Sequence, residues 1–111
     1  MPVLSIESNQ PLANDASLAT ISKHVAGMLG KPENYVMIRY SQNPDMLFAG
    51  SGEPLAYLEL KSLGLPESKT AGFSAALAKL VADELRVSPS RVYIEFASPE
   101  RHMFGWNGAT F

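Results

Sequence analysis

An α/β fold (α+β by some schemes) follows from three features of this sequence. A strand–helix–strand order is written twice, a proline stands at the same place in each copy (Pro32 and Pro89), and alternate strand residues are apolar throughout. A crossover between parallel strands needs a dozen or more residues and is almost always right-handed, so each copy forms a parallel pair joined by its helix. The copies, about 1–49 and 50–111, predict a pseudo-twofold repeat within a single domain of 111 residues. The result is a four-stranded mixed sheet with two helices on one face.

Residues 3–7 form the first short strand, and Ser8-Asn9-Gln10-Pro11 turns the chain. From Asn14 or Asp15, either a good N-cap, Leu18, Ile21, Val25, Met28 and Leu29 keep helical spacing. Gly30 sits where a helix-ending glycine belongs, and Pro32 closes the segment. Residues 35–40 read as the second strand, 41–45 as a turn, and 46–49 as a short edge strand. Glycines and Pro54 punctuate 50–54 before a third main strand at 55–60. Pro66 opens a second helix with an apolar face of Phe73, Leu77, Leu80, Val81 and Leu85, and Ser88-Pro89 stops it. Residues 92–97 form the fourth main strand, and an aromatic-rich tail follows from Ser98.

Strand parity separates two faces. Leu4 and Ile6, Val36, Ile38 and Tyr40, Leu58 and Leu60, and Val92, Ile94 and Phe96 should face the helices. The other parity mixes Met37, Tyr57 and Tyr93 with Glu7, Arg39, Glu59 and Glu95. Two helices cover one face of a sheet, so this second face meets either water or other subunits.

Composition excludes several classes. Hydrophobic residues at 46% and charged residues at 18% are those of an ordinary globular chain. The absence of cysteine removes disulfides, thiol nucleophiles and thiolate metal sites. A net charge of −2 without a basic cluster argues against nucleic acid as a partner. No apolar run reaches the ~20 residues that span a bilayer, and the start of the chain does not read as a secretory signal. The expectation is therefore a cytoplasmic protein without a membrane partner, with export lacking a signal peptide left compatible.

Standard motifs carry little chemistry. Gly50-Ser51-Gly52 precedes a proline and a strand instead of a helix, so it reads as a turn and not a phosphate loop. His24 and His102 have no partner at metal-ligand spacing, so no metal is expected. Pro2 is different. Removal of Met1 would expose a secondary amine fixed in a ring at the start of a strand. A neutral amine is a competent general base when burial and a neighbouring cation bring its pKa down. While Met1 is retained, Pro2 is an amide and cannot serve.

Along nearly its whole length the sequence resembles the macrophage migration inhibitory factor family of the tautomerase superfamily. The resemblance rests on Met1-Pro2, Gly30-Lys31-Pro32 with Tyr35, residues 50–54, and Ser62-Leu63-Gly64. It continues through Ser88-Pro89-Ser90-Arg91-Val92-Tyr93-Ile94 and ends with Gly105-Trp106-Asn107 and Thr110-Phe111. It implies a homotrimer, a tautomerase-like barrel whose sheets surround a central channel. It also implies cofactor-free keto–enol tautomerisation of aromatic α-keto acids such as phenylpyruvate. Pro2 would be the catalytic base, and Lys31 would hold the substrate carboxylate and keep Pro2 neutral. Leu63 would offer its backbone N–H, Tyr35, Trp106 and Phe111 would line the pocket, and Tyr93 would come from the neighbouring subunit. The bland readings are a solvated lysine beside a helix C-terminus for Lys31 and tail anchors for Trp106 and Phe111.

Three departures from the family pattern stand out. Leu55 and Leu58 occupy the positions of a Cys-x-x-Cys pair, which excludes thiol–disulfide chemistry. Glu95 replaces an asparagine contributed across the subunit interface, where a carboxylate repels an anionic substrate. Phe104 and Arg101-His102-Met103 alter the pocket rim. The alternative function is a cytokine-like signalling or interaction protein with a weak or vestigial tautomerase pocket.

Overall fold

The computed structural model describes all residues, Met1–Phe111. Its main sheet comprises β1 (Val3–Ser8), β2 (Met37–Gln42), β3 (Ala56–Lys61) and β4 (Val92–Ala97), in the spatial order β2-β1-β3-β4. β1 and β2 are parallel, as are β3 and β4, while the central pair β1 and β3 is antiparallel. Each parallel pair is bridged by a helix, α1 (Ser17–Leu29) or α2 (Thr70–Leu85). The mixed sheet and its two helices are those the sequence predicts.

The inward parity forms the core. Leu4, Ile6, Leu58 and Leu60 of the central strands are buried against Ile21 and Val25 of α1 and Phe73, Leu77, Leu80, Val81 and Leu85 of α2. Val36, Ile38, Tyr40, Val92, Ile94 and Phe96 pack on this cluster but stay half-buried, because they lie on or beside the two edge strands. Leu18, expected on the inner face of α1, sits in its opening turn and remains exposed.

Several boundaries move for identifiable reasons. α1 starts at Ser17, because Asn14 Oδ1 accepts from the Ala16 N–H (2.8 Å) in a turn that precedes the helix. A 3-10 turn occupies Glu33–Tyr35, closed by the Tyr35 N–H on the Pro32 carbonyl (3.1 Å). The second strand therefore begins at Met37, whose N–H reaches the Pro2 carbonyl at 3.0 Å. It extends through Ser41 and Gln42, expected in a turn, because β1 continues alongside to Ser8. Residues 46–49 form no edge strand. Phe48 and Ser51 instead close a tight turn with two hydrogen bonds of 3.0 Å, and Ala49 and Gly50 between them both have positive φ. Pro66 heads a 3-10 turn before α2, and α2 ends at Leu85 with Arg86 in the left-handed region, ahead of Ser88-Pro89.

The tail folds into a hairpin of β5 (Gly105–Trp106) and β6 (Ala109–Thr110). Asn107 and Gly108 at its tip both have positive φ, the requirement of a two-residue hairpin turn.

Candidate active site

One end of the sheet gathers the beginnings of β1 and β2 with the ends of β3 and β4. The pairings Val3–Met37, Val3–Lys61 and Lys61–Ala97 place these residues in one row. Pro2 is fully buried at the head of this row, and its carbonyl is held by the Met37 N–H.

Lys31 is delivered to the same end by the termination of α1. Gly30 is left-handed (φ 63°), its N–H bonds the Gly27 carbonyl, and the Lys31 N–H bonds the Ala26 carbonyl at 3.0 Å. This is the Schellman pair, which turns the chain sharply out of the helix. Pro32 and the 3-10 turn then place Tyr35 beside the N-terminus. Leu63 arrives from the opposite side, in the turn after β3. Its side chain is buried and its backbone N–H donates no hydrogen bond within the chain.

The tail closes the site with aromatic rings. Trp106 meets Tyr35 edge-on at 6.0 Å between centroids and stacks on Phe111 at 6.1 Å with 13° between planes. Phe104 lies 5.9 Å from Phe111. Such aromatic contacts combine large apolar area with specific geometry.

Around the N-terminal nitrogen the cavity has two lobes that share Met1, Tyr35 and Phe111. The first, of about 440 Å³, is bounded also by Lys31, Leu63, Gly64 and Arg101. The second, of about 410 Å³, is bounded by Val3, Met37, Phe104 and Trp106, and no charged side chain lines it. A more open depression of about 520 Å³ lies beside Lys61 and Pro99; it borders the second lobe at Phe104 and Gly105, and neither Pro2 nor Lys31 lines it.

The site's electrostatics follow from its lining. Burial, then the charges of Lys31 and Arg101, hold the N-terminal ammonium below its ordinary 8.0. The neutral amine is thus favoured at lower pH than for a free terminus.

Two residues named from the sequence lie elsewhere on the same chain. Tyr93 stands opposite Tyr57, toward the other end of the sheet, and its ring packs on Phe48 at 4.8 Å. Glu95 accepts a hydrogen bond from the Tyr57 hydroxyl (2.5 Å) on the open face and sits opposite Glu59. That hydrogen bond chiefly pushes the Tyr57 pKa above 10.0. Pro2, Lys31, Tyr35, Leu63, Trp106 and Phe111 converge within one chain; Tyr93 and Glu95 do not join them.

Sequence reasoning placed Arg101 at the pocket rim only as a departure from the family pattern and gave it no role; the structure puts it in the lining of the Lys31 lobe. Sequence reasoning missed the tail hairpin, which Asn107-Gly108 signals directly.

Comparisons with known proteins point to one family and one fold. The family model described as macrophage migration inhibitory factor matches residues 1–111. The chain is 41% identical to a macrophage migration inhibitory factor homolog of Brugia malayi, over 100% of this chain and 99% of that one. The solved structure of the homologue from Prochlorococcus marinus superposes with a TM-score of 0.91 at 36% identity, covering 98% of each chain. The factor from Trichinella spiralis gives 0.92 at 29% identity, over 98% of this chain and 99% of that one. With the doubled βαβ sheet, the end-to-end match and the N-terminal pocket in accord, the chain belongs to the macrophage migration inhibitory factor family.

Proposed function

We propose that this protein is a cofactor-independent keto–enol tautomerase of aromatic α-keto acids such as phenylpyruvate, with Pro2, freed by removal of Met1, as the general base. The observation that carries the reading is that Met1, the residue bonded to the Pro2 nitrogen, lines both a cationic lobe and an aromatic one, so its removal would open the Pro2 amine toward both. The substrate ring occupies the side of Trp106, Phe111 and Tyr35, and the carboxylate lies toward Lys31. The neutral Pro2 amine takes the proton from the carbon α to the ketone, and the C–H electron pair moves into the carbonyl to give an enolate. The same proton then returns to the oxygen, yielding the enol. The unpaired Leu63 N–H is a donor for a substrate oxygen. No cofactor is needed, because one proton is relocated and nothing is oxidised.

The working assembly we propose is a homotrimer. The open sheet face leaves Met37, Tyr57 and Tyr93 exposed at 56%, 39% and 67%, a surface suited to burial against other copies. Tyr93 and Glu95, remote from Pro2 within one chain, reach the pocket only from a neighbour. No helix is long and apolar enough to cross a membrane.

The test uses a sample whose intact mass proves Pro2 at its N-terminus. Pro2→Gly keeps an amine but loses the ring-fixed secondary nitrogen, so phenylpyruvate turnover should fall about 10²–10⁴-fold, the usual contribution of a positioned base. Equal turnover by the two proteins would refute the mechanism. No turnover by either would favour the cytokine-like alternative.

A further inference from the structure

The cationic lobe holds one charge more than the proposed reaction assigns. Arg101 opens the 3-10 turn Arg101–Met103 and lines the same lobe as Lys31, Leu63 and Gly64. Neither Arg101 nor Lys31 has an ion-pair partner within the chain, and neither side chain donates a hydrogen bond. Glu100, beside Arg101 in sequence, lies instead 3.4 Å from His102 Nε2. No aspartate or glutamate lines the lobe, and neither cation is ion-paired with any carboxylate of the chain. Two uncompensated cations sharing one concavity repel each other, an arrangement that an anion held between them relieves. The adjoining lobe carries no charged side chain, so an occupant of both has its anionic head toward Lys31 and Arg101 and its apolar body toward Trp106. Arg101 is near enough for its charge to bear on the N-terminal ammonium together with that of Lys31.

We propose that Arg101 is a second substrate-holding residue, which closes with Lys31 on the carboxylate of an aryl α-keto acid and makes the site selective for an anionic head group. The guanidinium supplies what an ammonium lacks: a planar fork of donors that matches a carboxylate at two points. An α-keto acid offers the carboxylate and the neighbouring carbonyl oxygen on one edge, so a fork and a point charge engage it from two sides. Only the keto-acid identity rests on the Pro2 reading; the anion clamp stands on the lobe's own charges.

The experiment separates the two. Wild type, Arg101→Gln and Arg101→Lys are compared for turnover of phenylpyruvate and of its uncharged methyl ester. Binding of the unreactive 3-phenylpropanoate is followed by the fluorescence of Trp106, the single tryptophan. In Arg101→Gln the Kd for 3-phenylpropanoate should rise about tenfold and the acid-to-ester ratio of kcat/KM should fall by a similar factor, the size of one charge-assisted contact. Arg101→Lys should recover part of both. An unchanged Kd in Arg101→Gln, or acid and ester falling together, overturns the clamp. A wild type whose intact mass proves Pro2 at its N-terminus, and that binds 3-phenylpropanoate in an Arg101-dependent way yet turns over no phenylpyruvate, upholds the clamp and overturns the Pro2 mechanism.

Discussion

At one end of the sheet β1 begins beside the 3-10 turn that follows α1; at the other, β3 begins beside the 3-10 turn Pro89–Arg91 that follows α2. Each end presents a proline just before the strand, Pro2 or Pro54, and a cation from the neighbouring connection. Lys31 at the first end is left without a partner. Arg91 at the second is fully engaged: it donates to the carbonyls of Phe48, Ser51, Glu53 and Pro54 at 3.0–3.2 Å and lies 5.3 Å above the Phe48 ring. The same local architecture thus yields a loop clasp where all three guanidinium nitrogens donate and a pocket where the charge stays available. A buried strand end flanked by satisfied groups is structural, whereas one flanked by unsatisfied groups is ready for a ligand.

The largest difference between the ends should appear when the first is blocked. A preparation that retains Met1 converts Pro2 into an amide, and turnover should fall about 10²–10⁴-fold relative to the processed protein. Intact mass and an initial-rate assay on one sample check this, and equal rates would break the distinction. The burial and the Lys31 and Arg101 charges that lower the Met1 ammonium should act equally on the Pro2 amine of the processed protein, so kcat/KM should rise with pH through that depressed pKa, since only the neutral amine accepts a proton. Lys31→Ala removes a cation that disfavours the ammonium, so the profile should shift to higher pH.

Exchanging the two cations' fates sharpens the contrast. Arg91→Ala should lower stability by about 2–3 kcal/mol, because four carbonyls lose a charged donor; denaturant unfolding measures it. Lys31→Ala should leave stability within about 0.5 kcal/mol, as for a half-buried side chain free of partners, while raising KM roughly tenfold. Similar stability losses in both would mean that the pocket lysine is structural.

Glu95→Asn tests whether the open face contributes to the first end through a neighbouring copy. Removing a like charge should raise kcat/KM for phenylpyruvate by up to about tenfold. No change would leave Glu95 as a partner of Tyr57 alone.

The smallest effects lie at the helix ends. Gly30 and Arg86 occupy equivalent left-handed positions with φ of 63° and 57°. A Cβ at Gly30 would meet nothing within 4 Å, so Gly30→Ala should cost about 1 kcal/mol of backbone strain alone. Arg86→Gly should add about 0.5–1 kcal/mol of stability by relieving the same strain. Thermal or denaturant midpoints would show both shifts.

Local pattern was enough for the alternation of strands and helices, the inner parity from Leu4 to Phe96, and the glycine exit of α1, because strand and helix periods and left-handed caps are written in neighbouring residues. Pro2 stood out by its own chemistry, as a ring-fixed amine that loss of Met1 would free, whereas Lys31, Leu63 and Trp106 were named through family resemblance, as no short-range rule links residues so far apart. Register and chain convergence are properties of the folded chain alone. β1 running on to Ser8 drew Ser41 and Gln42 out of their turn, and the ladder starting at Met37 left Tyr35 in the turn that faces the N-terminus. Strand direction put Tyr93 at the far end of the sheet from Pro2, and the tail's return brought Arg101 to the lobe of Lys31. Those outcomes depend on hydrogen-bond pairings between distant segments, whose geometry no window of sequence contains.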